Sequence, residues 1–394
     1  MELLMEWMSF LTRWLHVMAG ITWIGTSFYF NWFDANVRPA RNPVVKENVR
    51  GTVEEIHGGG FYYHELYWPN RHPERLLVHA WPAKTTFYTG LVLMLLIYWI
   101  GASTYLVDPR VADISGQAAV AISIGSIILG WLIYTTVCRV FDNEAYVLAC
   151  VALLVLVAAY GFTHVFSGRG AFISMGAMLG SLMGLNVIRH IVPNHIAMRR
   201  QLNQGEPLDT HHGFLAKRRS QHNNYFTIPV VFCMISNHFS AAYNHHLSWL
   251  ILCLVLFAGW GVRHTLNVQY KLEKRAVGTA VATGLSLVAA LVVSFIPAPS
   301  TPAMSAVTPR VIDDAGAMRL VAQHCAVCHA AKPTYPGFSA APQGLALETR
   351  EQVLQNRQRV MQQTFVAMAM PLGNVTQMSD QERADLKLWL ESAR

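Results

Sequence analysis

Eight apolar stretches, each long enough or nearly so to cross a lipid bilayer as a helix, fill most of the first 297 residues of this 394-residue chain. They run over 9–32, 84–106, 117–137, 146–166, 170–192, 227–243, 247–263 and 276–297. A helix needs about 20 residues to span a hydrocarbon core of about 30 Å. In lipid every backbone N–H and C=O must be satisfied within the chain, so such segments are restricted to helices or closed barrels. The composition agrees: 53% of residues are hydrophobic and only 13% charged, against about 25% charged in ordinary globular domains. The predicted fold is all-α, a polytopic membrane bundle of about eight transmembrane helices. The sixth and seventh runs are short, and a re-entrant pair fits them as well as two spans. The start of the chain is acidic (Glu2, Glu6) and shows no cleavable signal.

Positive charge orients the bundle. Cytoplasmic loops collect Lys and Arg. With the N-terminus outside, the inner loops 33–83, 138–145, 193–226 and 264–275, with their flanks, hold eighteen such residues, and the outer loops hold only Arg110 and Arg169. The net charge of +7 is therefore an orientation signal and not a nucleic-acid footprint. Eight crossings return the C-terminus to the outside. The expected location is a bacterial cytoplasmic membrane, with both the N-terminus and the C-terminal segment on the periplasmic side.

A Pro-rich linker over 298–309 leads to a short, nearly charge-balanced segment, 310–394. It carries Cys325-Ala326-Val327-Cys328-His329, the C-x-x-C-H arrangement by which a c-type haem is attached. The two thiols bond the porphyrin edge and His329 ligates the iron. Such haem is fitted outside the cytoplasmic membrane, in agreement with the charge-derived topology. Met370, followed by Pro371, is the expected sixth ligand, with Met368 and Met378 as competitors. An amphipathic stretch, Asp313 to His324, precedes the motif. Ser379 and Glu382 form a capping box ahead of the apolar stripe Leu386, Trp389 and Leu390. Residues 310–394 thus resemble a small class I-like cytochrome c domain, with His329 and Met370 as metal ligands. Cys138, Cys150, Cys233 and Cys253 lie in or beside apolar runs and read as buried thiols.

Ionisable groups within membrane helices are costly and suggest sites. The first helix has Arg13, His16 and Trp23-Ile24-Gly25. This pattern resembles a fragment of haem-b membrane proteins of the protoporphyrinogen-oxidase HemJ type. It suggests a second, buried haem b near the outer half, with His16 and either His164 or His238 as ligands and Arg13 on a propionate.

Across its full length the chain resembles the bacterial membrane-bound urate hydroxylases of the PuuD type, an eight-helix membrane domain joined to a cytochrome c tail. The most specific stretch is Arg219-Ser220-Gln221-His222-Asn223-Asn224-Tyr225-Phe226-Thr227-Ile228-Pro229, continuing to Met234-Ile235-Ser236-Asn237-His238. Trp14-Leu15-His16-Val17, His57-Gly58-Gly59-Gly60-Phe61-Tyr62, Thr163-His164 with Phe166-Ser167-Gly168-Arg169, and Arg263-His264 with Asn267 support it. The resemblance implies oxidation of urate, or a related purine, to 5-hydroxyisourate. Electrons would pass to the chain's own haem c and then to a periplasmic or membrane acceptor such as a terminal oxidase or its cytochrome. Urate is a planar anion, suited to cations, amides and aromatic faces. Arg263, Asn223, Asn224, Asn237, Tyr62 and Phe61 offer these, and His222, His57 or His264 can serve as base. The chain departs from the family pattern in His79-Ala80-Trp81-Pro82-Ala83-Lys84-Thr85-Thr86-Phe87, where Pro82 replaces an acidic residue and Phe87 a tryptophan. It departs again near His64-Glu65, where a basic residue is expected. A haem b/haem c relay oxidising quinol, and a transporter or sensor with an appended cytochrome, are the competing functions.

Overall fold

The computed structural model describes residues 2–39, 49–68, 76–268, 273–296, 307–336 and 338–393. Most of the Pro-rich linker, 297–306, lies outside the described residues, as do the inner-loop positions Arg41, Lys46, Arg71, Arg75 and Lys271. The chain is mostly helical. Helix α1 covers Glu2–Asn36. Helix α2 covers Trp81–Leu93, runs on through a π-helical turn at Met94–Trp99, and is followed by the short α3, Ala102–Tyr105. Next come α4 (Gly116–Val140), α5 (Glu144–Val165) and α6 (Gly168–Asn186), the last continued by a π-helical turn into α7 (Val192–Asn203). Helix α8 (Thr210–Ile235), the short α9 (Ser240–Tyr243), α10 (Ser248–Val268) and α11 (Glu273–Ser294) complete this part.

Local chemistry sets the helix ends. Ser115, Asn143, Ser167 and Asp209 cap α4, α5, α6 and α8 by accepting backbone N–H groups. Pro82 sits in the first turn of α2, where its missing N–H costs nothing. Five helices among the described residues are long and apolar enough to cross a membrane: Gly116–Val140, Glu144–Val165, Gly168–Asn203, Ser248–Val268 and Ala276–Ser294. They are compatible with a membrane protein. Of the other three apolar runs, 9–32 lies within α1, 84–106 begins in α2 and ends at α3, and 227–243 leaves α8 at Ile235 and passes through a short 3-10 turn into α9.

Helix α6 is the hub, packed against α2, α4, α5 and α8, with Phe172, Met175, Leu179 and Leu182 fully buried. Small residues permit the close approach. A Cβ at Gly176 would meet Cys233 Cβ at 2.7 Å, and one at Gly184 would meet the Phe87 ring at 2.4 Å.

Two expectations need correction. The chain is not all-α: β1 (Val49–His57) and β2 (Gly60–Tyr67) form an antiparallel hairpin. The His57-Gly58-Gly59-Gly60 stretch is its turn, with Gly58 and Gly59 at φ +56° and +80°, the left-handed pair that a two-residue hairpin demands. The 193–226 stretch is also not a loop, because α7 and the first half of α8 occupy it. Its polar residues are tolerated in a helix packed within the bundle because they find partners there. Arg218, for example, donates to the carbonyls of Cys138 (3.0 Å) and Phe141 (2.5 Å).

A second core lies in 312–393. Helix α12 (Asp314–Val321), capped by Asp313, runs through a π-helical turn that carries Cys325. Then come α13 (Arg350–Gln355), α14 (Arg357–Val360) and α15 (Asp380–Ser392). The Ser379–Glu382 capping box forms as the sequence indicates. Leu386, Trp389 and Leu390 are buried against Ala317, Val321 and Met378.

Candidate functional site

Helix α8 carries an unbroken polar run, Lys217 to Asn224, within the bundle. Because a helix turns 100° per residue, the adjacent Asn223 and Asn224 serve different neighbours. On the α10 side, Arg263 donates through Nε to Asn224 Oδ1, and its guanidinium carbon lies 3.6 Å from the centroid of the Phe28 ring on α1. Asn267 shares hydrogen bonds with Asn224 at 3.4–3.5 Å. Arg263 is 1% exposed, its Nη2 is buried without a hydrogen-bond partner, and no carboxylate pairs with it among the described residues. Next to it, Tyr225 Oη and His264 Nδ1 are 2.9 Å apart with their rings stacked. Trp260 Nε1 is a further buried donor without a partner.

On the α4–α6 side, His222 Nδ1 meets Tyr134 Oη at 2.7 Å and His222 Nε2 meets Glu144 Oε2 at 2.8 Å. Tyr134 also accepts from Asn186 Nδ2 at 2.9 Å, and the same amide nitrogen donates to Asn223 Oδ1 at 2.9 Å. Asn223 Nδ2 donates to Met183 O at 3.0 Å. Arg218 binds Glu144, while the Arg219 guanidinium lies 4.9 Å over the Tyr134 ring with Nη1 unpartnered. The result is a hydrogen-bonded line from buried Asn186 to Glu144, whose side chain is 54% exposed. The sequence reading missed Tyr134, Glu144, Asn186 and Arg219. Their signal was present: Tyr134 and Asn186 are isolated polar groups in apolar helices, the kind that mark sites.

Other predicted site residues lie elsewhere. His57, Phe61 and Tyr62 sit around the hairpin turn. Phe61 is 90% exposed, and no contact among the described residues joins the three to Arg263 or His222. The aromatic depression between α1 and the hairpin, lined by Tyr29, Phe33, Tyr63, His64, Glu65 and Tyr67, presents a carboxylate, the wrong sign for an anion. Asn237 lies at the far end of α8 and donates to Tyr98 Oη at 2.6 Å, about 20 Å along the helix from Asn224.

The proposed haem-b histidines do not assemble. His16 bonds Thr89 at 3.0 Å and packs on Gly90. His164 stacks on Tyr160 at 4.0 Å on an exposed face, with its Nδ1 2.7 Å from Tyr160 O. His238 and Arg13 are exposed. His16 and His164 are thus committed to separate partners, which does not fit a shared haem b.

The 325–329 segment fits a c-type haem. Cys325 and Cys328 are free thiols. Burial pushes Cys325 up to about 12 and also raises Cys328, the opposite of the lowered values that a reactive dithiol needs. His329 Nδ1 lies 2.9 Å from Leu345 O, a hydrogen bond that sets the tautomer and leaves Nε2 for a metal. Arg383 donates to the carbonyls of Thr364 (2.8 Å) and Met370 (2.9 Å), tethering the Met370 loop. Met378 is packed into the core instead.

No curated protein and no solved structure matches the chain. A family model, described as urate oxidase N-terminal, matches residues 2–294. That stretch includes both polar nests on α8 and ends before the C-x-x-C-H segment. On that match, the chain belongs to the urate oxidase N-terminal family.

Proposed function

We propose that this protein is an integral-membrane oxidoreductase that converts urate to 5-hydroxyisourate and delivers the electrons to its own c-type haem and on to the respiratory chain. Family membership supports a urate-related oxidoreductase. The observation that carries the substrate assignment is Arg263, a buried cation with a free donor and no counter-charge among the described residues. Burying an unpaired charge costs several kcal/mol, so this nest is built for an anion. Urate, planar and usually monoanionic, supplies one.

Counted from uric acid, adding the hydroxyl of water at C5 releases two protons and two electrons. Arg263 and Asn224 bind and orient the purine. The His264–Tyr225 pair lies beside it, positioned to take a proton from substrate or water. The His222–Glu144 line leads from the bundle interior to an exposed carboxylate and is suited to carry protons out. Cys325, Cys328, His329 and Met370 would hold the haem, which when bound supplies a one-electron acceptor. Met–His ligation raises its potential and so favours electron uptake.

In this reading residues 1–297 form the membrane domain, 298–309 the linker and 310–394 the cytochrome domain. The separate core of the C-terminal segment supports that division. That segment touches Glu6, Thr104 and Arg110, all at the bundle end that the charge pattern assigns to the periplasm. The departures at Pro82 and Phe87 have packing roles here, one opening α2 and the other filling the space over Gly184. The test is anaerobic addition of urate to the purified, oxidised protein. Reduction of the haem bands is expected, and an unchanged spectrum in a protein that dithionite does reduce would overturn the assignment.

A further inference from the structure

Both parts of 310–394 that would embrace a porphyrin rest on one short piece of the bundle, Ser103–Arg110. From the C-x-x-C-H side, Tyr335 Oη lies 3.4 Å from Thr104 Oγ1. From the methionine side, Arg110 Nη2 donates to Met368 O at 3.1 Å, while Asp108 holds the same guanidinium at 2.6 and 2.9 Å. Gly373, at φ +58°, lies so close that a Cβ there would sit 2.8 Å from Val107 O and 3.2 Å from Thr104 O. The two sides of the crevice thus meet the bundle within one short stretch, Thr104–Arg110.

The bundle end beneath this contact is polar and under-satisfied. Tyr98 and Tyr105 have ring centroids 6.0 Å apart. Asn237 donates to Tyr98 and leaves its Oδ1 buried without a partner, and Arg169 Nε is likewise buried and unpartnered. Ser167, the cap of α6, donates its hydroxyl to Tyr105 O and its N–H to Leu106 O, both at 2.7 Å, so Arg169 in the first turn of α6 starts beside the Thr104–Tyr335 contact. No carboxylate pairs with Arg169 among the described residues. A cation without a counter-charge, beside the segment that carries the haem-attachment motif, suits a propionate carboxylate of a porphyrin.

We propose that this end of the bundle, through Arg169, Tyr98, Tyr105 and Asn237, completes the haem c pocket. The proposal rests on the haem assignment above. A positive charge near the propionates stabilises the reduced, less positive iron, so its loss must lower the midpoint potential. The experiment is a chemical redox titration of the full-length purified protein, with dithionite and ferricyanide and without urate. Arg169→Gln is expected to shift the midpoint downward and Arg169→Lys to restore most of it. Asn237→Asp, which adds a negative charge to the same pocket, provides a second downward shift should the arginine variants fail to accumulate. Arg199→Gln, at the opposite end of the bundle, should leave the potential unchanged. Wild-type midpoints in both Arg169→Gln and Asn237→Asp would overturn the proposal while leaving the urate assignment standing. Absence of any c-type band in the wild-type protein would overturn it together with the haem assignment.

Discussion

Replacing Arg263 by methionine separates a ligand-binding cation from a structural one. Arg263 is 1% exposed, donates through Nε to Asn224, lies on Phe28 and keeps Nη2 free. If the charge exists to hold urate, the substitution removes a charge-assisted hydrogen bond worth about 1.5–3 kcal/mol. That is a loss of about 10- to 150-fold in affinity. Methionine fills similar volume and removes an uncompensated buried charge, so the ligand-free variant should be as heat-stable as the wild type or more so. Binding also protects the fold by mass action, adding about 2.7 kcal/mol at a ligand concentration 100 times Kd. The assay is thermal unfolding of purified protein with and without urate, with the haem already reduced so that no turnover occurs. Wild type should show a urate-dependent rise in Tm that Arg263→Met loses. Two results would refute the reasoning: equal urate protection in the variant, or a ligand-free variant destabilised by the roughly 3–5 kcal/mol typical of breaking a buried ion pair.

Further outcomes follow from other contacts. Glu144→Gln removes the carboxylate partner of His222 and is expected to slow urate-dependent haem reduction by about 10²-fold or more with urate KM nearly unchanged; steady-state kinetics checks the split. His329→Ala should abolish iron ligation but not membrane insertion, read from the visible spectrum of washed membranes, and Met370→Ala should lower the haem potential while Met368→Ala leaves it alone. Gly184→Val drives a side chain into the Phe87 ring and should cost about 1–3 kcal/mol, measured as a fall in Tm. Burial pushes the Glu382 carboxyl up, but the Ser379 backbone N–H and hydroxyl together with His324 outweigh it and hold it below its usual range. A lowered carboxyl contributes stability above its unfolded pKa that is lost as pH falls through the folded value. Acid unfolding of 310–394 should therefore be less pH-dependent in Glu382→Gln, followed by circular dichroism between about pH 5 and pH 2.

The helices were legible because their causes are local: long apolar runs, Ser and Asn caps, and the Ser379–Glu382 box act through nearest neighbours. The hairpin was harder to see, since two half-exposed strands rich in Tyr, Glu and His imitate a polar loop until they pair. His222, Asn223, Asn224, Arg263 and His264 could be picked out through the family resemblance and their suitability for a planar anion, but their grouping could not. Helical geometry sends Asn223 towards Asn186 and Met183, and Asn224 towards Arg263 and Asn267. Which residues stand opposite depends on helices brought together from distant parts of the chain. Tyr134, Glu144 and Asn186 became site residues only through that packing, and His57, Phe61 and Asn237 were set apart by it. Sequence alone determined the residue types and the local backbone they prefer. Tertiary structure decided which charges are left without partners, because satisfaction of a buried polar group depends on what the rest of the fold places within about 3 Å of it.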